Sequence, residues 1–225
     1  MRDFVSSICT PEGKWYDKSN FSSFVPGESY EYSNVGAVIA ALIVEIVSGE
    51  EFDNFTRQHI FMPLEMNQTN WFYDDDKITY SKNYVDDGNK VYEFPRYYEA
   101  SYPDGQLKTT ANDLSRYLIE MIRGYKGKGR LLKPESYQTI FESQLVSSAF
   151  EKSDDSVLND DYDVGIFWAI SKPGYRLHKG GMIGVYSIIY FNAESGFGAF
   201  AFCNNANPAF GDVVKAITVF EKSIE

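Results

Sequence analysis

Two short stretches gather side chains able to move protons or attack a carbonyl carbon. Tyr32-Ser33-Asn34 sets a phenol, a hydroxyl and an amide in succession, and His178-Lys179-Gly180-Gly181 sets an imidazole and an amine beside two glycines. Taken singly, each has an ordinary use. Tyr32 serves as a packing aromatic and Asn34 as a helix cap; His178 serves as a strand-end histidine and Gly180-Gly181 as a tight turn. Ser33 invites reading as a nucleophile, but a hydroxyl needs a base within reach. Nothing in the chain sets His178 against Ser33 rather than Tyr32.

The elements that must hold these residues can be read from periodicity. Residues 1–31 carry Pro11, Gly13, Pro26 and Gly27 with no sustained period, which predicts an irregular entry. Asn34 is expected to cap a helix over 35–47 that stops at Gly49 in the left-handed conformation. A second helix over 50–61 is halted by Pro63. Residues 70–106 are rich in Tyr, Asp, Asn and Gly, and the run Asp74-Asp75-Asp76 reads as a solvated turn rather than a cation loop. Thr110 and Asp113 form a capping-box-like start, followed by the stripe Leu114, Tyr117, Leu118, Met121 and Ile122, with Gly124 closing the helix. Lys133-Pro134-Glu135 opens a short helix whose apolar side is Tyr137, Ile140 and Phe141. Residues 147–163 read as an exposed loop.

After that the period changes from helical to alternating. Residues 164–170, 175–178, 185–191 and 198–203 read as strands, with a hairpin loop over 192–196, and Pro208 introduces a last helix to Phe220. The layout is α+β: an antiparallel sheet flanked by helices, in a single partial domain, with 1–163 a mainly helical and loop lobe and 164–225 the strands and terminal helix.

Composition narrows the partners. The formal charge is −11, so nothing here attracts a phosphate backbone and no nucleic acid is expected. The most apolar run, 35–47, contains Glu45 and is too short for a membrane span, and the amino terminus lacks the pattern of a signal peptide. Cys9 and Cys203 are too few for a disulfide framework. His59 reads as a packed or capping histidine. With two histidines and two cysteines scattered along the chain, no metal site is expected.

The order of short motifs is more specific than any one of them. Phe24-Val25-Pro26-Gly27-Glu28 precedes Tyr32-Ser33-Asn34, and Val44-Glu45-Ile46-Val47-Ser48-Gly49 follows it. Next come 60–69, with Pro63-Leu64-Glu65-Met66 and Thr69, and then 105–114, with Thr109-Thr110-Ala111-Asn112-Asp113-Leu114. Late in the chain stand His178-Lys179-Gly180-Gly181 with Gly184, and Cys203-Asn204-Asn205. In this order they resemble the serine hydrolase superfamily of class C β-lactamases, D-alanyl-D-alanine carboxypeptidases and related esterases, whose segments read close to F-x-P-G, Y-S-N, E-x-x-x-G, P-L-G-M-x-x-T, G-G-L-x-S-T-A-x-D-L, H-x-G-G-x-x-G and V-x-x-N. The resemblance runs from about Phe24 to Phe220.

It implies acyl transfer without a cofactor, on a small-molecule or peptide substrate: a D-Ala-D-Ala peptide, a β-lactam or a small ester. Tyr32 would be the acid/base partner, needing a lowered pKa from a nearby cation, and Asn34 would orient the catalytic lysine and the substrate amide. His178 stands where many members carry the lysine of K-T-G, which would make carboxylate recognition pH-sensitive. Lys179 replaces the hydroxyl residue of that motif. Gly180 and Gly181 would line the substrate edge, Gly181 giving one oxyanion N–H.

The nucleophile of the resemblance is absent. No S-x-x-K occurs; Thr79-Tyr80-Ser81-Lys82 comes after Tyr-x-Asn, out of order, and no G-x-S-x-G elbow replaces it. Two strands, a helix and their connections would take about 40 residues before Tyr32, and residues 1–31 read as loop. Three readings follow. The chain is the carboxy-terminal part of a serine hydrolase, inactive as it stands; or it is a non-catalytic binding protein that keeps the cleft; or it is a remnant without a ligand. A missing amino-terminal segment or a homo-oligomer would complete the sheet, and a full-length parent would be extracytoplasmic, where such substrates lie.

Overall fold

A computed structural model describes residues 1–145, 162–171, 174–205 and 209–224. The chain divides into two compact units, one holding Met1–Tyr73 and Tyr98–Asp113, the other holding Asp74–Tyr97, Leu114–Gln144 and the described residues from 162 onward.

In the first unit the entry is not wholly irregular: helix α1 spans Arg2–Cys9. Helix α2 spans Asn34–Ser48 and ends as expected, with Gly49 left-handed at φ 74 and its N–H on the Glu45 carbonyl. Its start differs from expectation by one residue. Ser33, extended, is the cap, its Oγ accepting the Gly36 N–H at 3.0 Å, and Asn34 is the first helical residue. The second expected helix is split into α3 (Phe52–Thr56) and a wider π-type turn over Arg57–Phe61, where the Met62 N–H reaches back to the Arg57 carbonyl. That turn brings Phe61, Leu64 and Met66 into the interior.

Helix α4 (Ala111–Tyr125) begins in this unit, with Thr110 Oγ1 accepting the Asp113 N–H at 3.2 Å. The buried Asp113 carboxylate accepts the Gln68 N–H at 2.7 Å and the Thr69 hydroxyl at 2.9 Å, and Thr69 and Thr109 share a 2.8 Å hydrogen bond. Asn70 and Lys108 pair through both backbone hydrogen bonds. Segments 60–69 and 105–114 are therefore one structural joint.

In the second unit α4 runs past Gly124 to Tyr125 rather than closing there. Gly124 answers to packing: a Cβ there would lie 2.1 Å from the Tyr137 ring. The left-handed glycine after the helix is Gly127, at φ 69. Helix α5 spans Pro134–Phe141, and the core joins Leu118, Met121, Tyr137, Phe141, Trp168 and Phe191. Glu120 accepts the Tyr137 hydroxyl and the Arg130 and Leu131 N–H groups, which offsets the cost of burying its charge.

The 70–106 segment, for which the sequence indicates only a polar, turn-bearing stretch, contains a hairpin of β1 (Asn83–Asp86) and β2 (Val91–Phe94). The main sheet is antiparallel throughout, in the order β3 (Tyr162–Val164), β4 (Ala169–Ser171), β5 (Tyr175–Met182), β6 (Val185–Asn192), β7 (Gly198–Cys203). The expected strand over 164–170 is thus two strands folded on each other, turning through Phe167 at φ 60. Most of the expected loop over 147–163, and Pro208, lie outside the described residues. The last helix, α6 (Phe210–Ile224), is anchored by buried Glu221, which accepts the Tyr175 hydroxyl at 3.0 Å and the Asn192 amide at 3.2 Å. Beyond β7 no further strand pairs along its outer edge among the described residues.

Candidate functional site

The sequence-derived residues fall into two groups, Tyr32 and Asn34 in the first unit and His178, Gly180 and Gly181 in the second. In the first, Ser33 commits its hydroxyl oxygen to capping α2, which disfavours it as a nucleophile and fixes the turn in which Tyr32 and Asn34 stand on either side of it. Asn34 is exposed at the first helical position. Tyr32 is 59% exposed. Its hydroxyl is raised above the ordinary tyrosine value, by partial burial first and by the negative charge of Asp104 second. This is the opposite of the lowering that a neighbouring cation would give.

Asp104 is a residue that sequence reading passed over. It ends the short 3-10 turn Tyr102–Asp104, which packs against α2. Its own carboxyl is pushed up by burial and by Glu99, against a hydrogen bond from Ser101 that lowers it. The signal available was a run of carboxylates and tyrosines, Tyr97 to Asp104, just before the Gly105-Gln106 pair.

In the second group the expected end of one strand and start of the next is a single strand. His178, Lys179, Gly180 and Gly181 all lie inside β5, and the turn comes later, at Ile183-Gly184, with Gly184 at φ 74. A strand is favoured there because β6 pairs residue for residue from Tyr175↔Asn192 to Met182↔Val185. Gly180 is the tighter of the two: a Cβ there would stand 2.3 Å from the Ser187 Oγ and oblige that hydroxyl to turn aside, whereas one at Gly181 would meet only the Tyr186 ring at 3.6 Å.

The hairpin register decides which backbone groups are free. A two-residue turn makes Met182 and Val185 a hydrogen-bonded pair, and such pairs recur at every second residue. Gly180 and His178 therefore also bond to β6, while Gly181 and Lys179 turn their N–H and C=O groups to the opposite edge. Strand β4 covers that edge only at Arg176 and Leu177. Among the described residues the Gly181 N–H therefore points out of an open strand edge, available to a ligand oxygen. His178, on the adjoining face, is lowered in pKa by burial, partly countered by a hydrogen bond with the backbone of Lys179, so it is less readily protonated than a free imidazole.

Among the described residues no group of three or more His, Cys, Asp or Glu side chains is placed to hold a metal ion, and no described helix is long and apolar enough to cross a membrane.

The sequence profile described as Beta-lactamase matches residues 16–223. Penicillin-binding protein 4* of Bacillus subtilis (strain 168) is 31% identical over 108 aligned residues, the match covering 42% of this chain and 24% of that protein. The crystal structure of a penicillin-binding protein from Bacillus halodurans superposes with a TM-score of 0.68 at 21% identity, covering 88% of this chain and 58% of that one. An octameric penicillin-binding protein homologue from Pyrococcus abyssi superposes at 0.71 with 18% identity, over 91% of this chain and 48% of that one. The chain spans about a quarter to somewhat over half the length of these relatives.

Proposed function

The chain belongs to the β-lactamase family of serine hydrolases and penicillin-binding proteins, and from that membership we propose that it supplies the acid–base and oxyanion part of an acyl-transfer site whose serine lies outside these 225 residues. The substrate class is a D-Ala-D-Ala peptide, a β-lactam or a small ester. The observation that carries the reading is the open edge of β5, which turns the Gly181 N–H outward as an oxyanion donor must be turned.

In the proposed reaction an S-x-x-K serine attacks the carbonyl carbon, and its proton leaves by way of Tyr32. The Gly181 N–H steadies the negative charge on the carbonyl oxygen, and the leaving group departs with a proton returned by Tyr32. Water then cleaves the acyl-serine ester by the reverse proton path. Asn34 orients the substrate amide, and His178, when protonated, attracts a substrate carboxylate. The raised Tyr32 hydroxyl needs a cation to bring it down, and the S-x-x-K lysine is that cation.

The absence of S-x-x-K also supports a second reading, a binding protein that holds such ligands without turning them over. The two part on one experiment. An acyl adduct that forms only when a segment bearing S-x-x-K is joined to the chain supports the first; ligand binding by the chain alone, with no adduct in either form, supports the second. Export of the parent, and assembly into a homo-oligomer as for the octameric relative, belong to the same proposal.

A further inference from the structure

Lys108 is an unusual lysine. Its Nζ donates to the Trp71 carbonyl at 3.0 Å, to the Gln106 carbonyl at 2.7 Å and to the Gln106 Oε1 at 3.1 Å, and it lies 4.6 Å from the centroid of the Tyr73 ring. Those acceptors match the three N–H groups of an ammonium. Burial lowers its pKa to about 8, with Glu99 acting the other way. A long cationic side chain normally keeps its head in water; this one is turned inward and satisfied there.

What it holds together lies on both sides of the Tyr102–Asp104 turn, whose Asp104 charge acts on Tyr32. Gln106 is buried, and its amide reaches Glu99 Oε2 at 3.4 Å. Trp71 packs its ring against Tyr102 and Phe52, each with centroids 5.5 Å apart, and its indole N–H donates to Thr56 Oγ1 at 2.8 Å. The Tyr102–Asp104 turn is thus gripped at Tyr102 by the Trp71 ring and just after Asp104 by Gln106, and the Lys108 amine joins the two grips.

We propose that Lys108 is a positioning residue for Tyr32: by tying Trp71 to Gln106 it holds the Tyr102–Asp104 turn, and through Asp104 it fixes the charge that the Tyr32 hydroxyl faces. This rests on Tyr32 being the proton-handling residue of the proposed site, although Lys108 itself touches no substrate. A loosened turn lets the Asp104 carboxylate withdraw into water, and the field at Tyr32 weakens.

The test is the titration of Tyr32, whose midpoint lies above the ordinary tyrosine value of 10.0. There Lys108 is the neutral amine and ties Trp71 to Gln106 through its two remaining N–H groups. The titration is followed by carbon NMR of ring-labelled tyrosine in the full chain and assigned with Tyr32→Phe. Lys108→Met should move the Tyr32 midpoint down towards the ordinary tyrosine value, and Lys108→Arg should restore it in part. Asp104→Asn should lower it too, with no further shift when combined with Lys108→Met. If Lys108→Met does not fold, Gln106→Met breaks the same link and should give the same downward shift. An unmoved Tyr32 midpoint in a folded Lys108→Met or Gln106→Met chain overturns the proposal, as do independent shifts in the double variant. If the midpoint moves as expected but Tyr32→Phe does not slow acylation once a serine-bearing segment is joined, the catalytic role of Tyr32 fails and the positioning by Lys108 stands.

Discussion

The hydroxyl of Thr69 meets the carboxylate of Asp113 at 2.9 Å across 44 residues of chain. Two motifs that stand apart in the sequence are thereby one joint, and Asp113 is its centre. Asp113→Ala removes the acceptor of both the Gln68 N–H and the Thr69 hydroxyl, the latter on a buried residue. Urea unfolding should show a loss of about 2–3 kcal/mol, and Asp113→Asn a smaller one, since an amide oxygen still accepts. A loss below about 0.5 kcal/mol for Asp113→Ala would mean that water replaces the joint.

The two glycines of β5 should separate cleanly. Gly180→Ala places a Cβ against the Ser187 Oγ and should cost about 1–3 kcal/mol, most of it recovered by combining it with Ser187→Gly. Gly181→Ala should be nearly neutral for stability. Thermal melts of the three variants check this, and equal losses at 180 and 181 would refute the register argument.

Stability should depend on pH in two opposing ways above neutrality. Lys108 sheds its proton near pH 8 in the fold and near 10.5 when unfolded, so between those values the unfolded chain binds more protons and stability rises with pH. Tyr117 and Tyr137 are held up to about 12 by burial, Tyr137 also by Glu120. Above pH 10 the unfolded chain therefore loses protons that the fold retains, and stability falls. The urea midpoint should rise from pH 8 towards 10 and then drop; Lys108→Met should abolish the rise and leave the drop.

The chain alone should form no covalent adduct with a labelled penicillin or a fluorophosphonate, because it has no S-x-x-K serine. Intact-mass spectrometry after incubation reads this directly. A stoichiometric adduct mapped to any serine or threonine would show a nucleophile outside the family pattern.

The outer edge of β7 should drive association. Its strand, Gly198–Cys203, carries no charge or proline, and Phe202 is 45% exposed. Light scattering should rise with concentration, and Phe202→Lys should suppress it. A monomer with a cooperative, high-temperature melt at all concentrations would show the edge to be protected.

Legibility in the sequence followed side-chain information. Helices α2, α4 and α5 were readable because their apolar stripes repeat at helical spacing. The cap of α2 was missed by one residue because Ser33 and Asn34 are both good caps and only backbone geometry chooses. The β1–β2 hairpin was hidden in a polar segment although Asp87-Gly88-Asn89 carries a turn signal, because its short strands are partly exposed and show little apolar alternation. The second half of β5 was illegible for a different reason: Gly180 and Gly181 bring no strand propensity, and pairing with β6 alone holds them extended. Tyr32 and His178 could be singled out by motif order. Lys108 and Asp104 could not, since no local pattern marks an amine as turned inward or a carboxylate as facing a particular phenol.

The two-residue turn at Ile183-Gly184 makes the outward direction of Gly181 a matter of parity. Inserting a single residue between Met182 and Val185 while β6 keeps its place would exchange odd and even along β5, swinging Gly181 inward and Gly180 outward. Insertions of two restore the alternation. Only register shifts of even length keep the odd-numbered residues of β5 turned outward, a constraint written in counting rather than in the chemistry of any side chain.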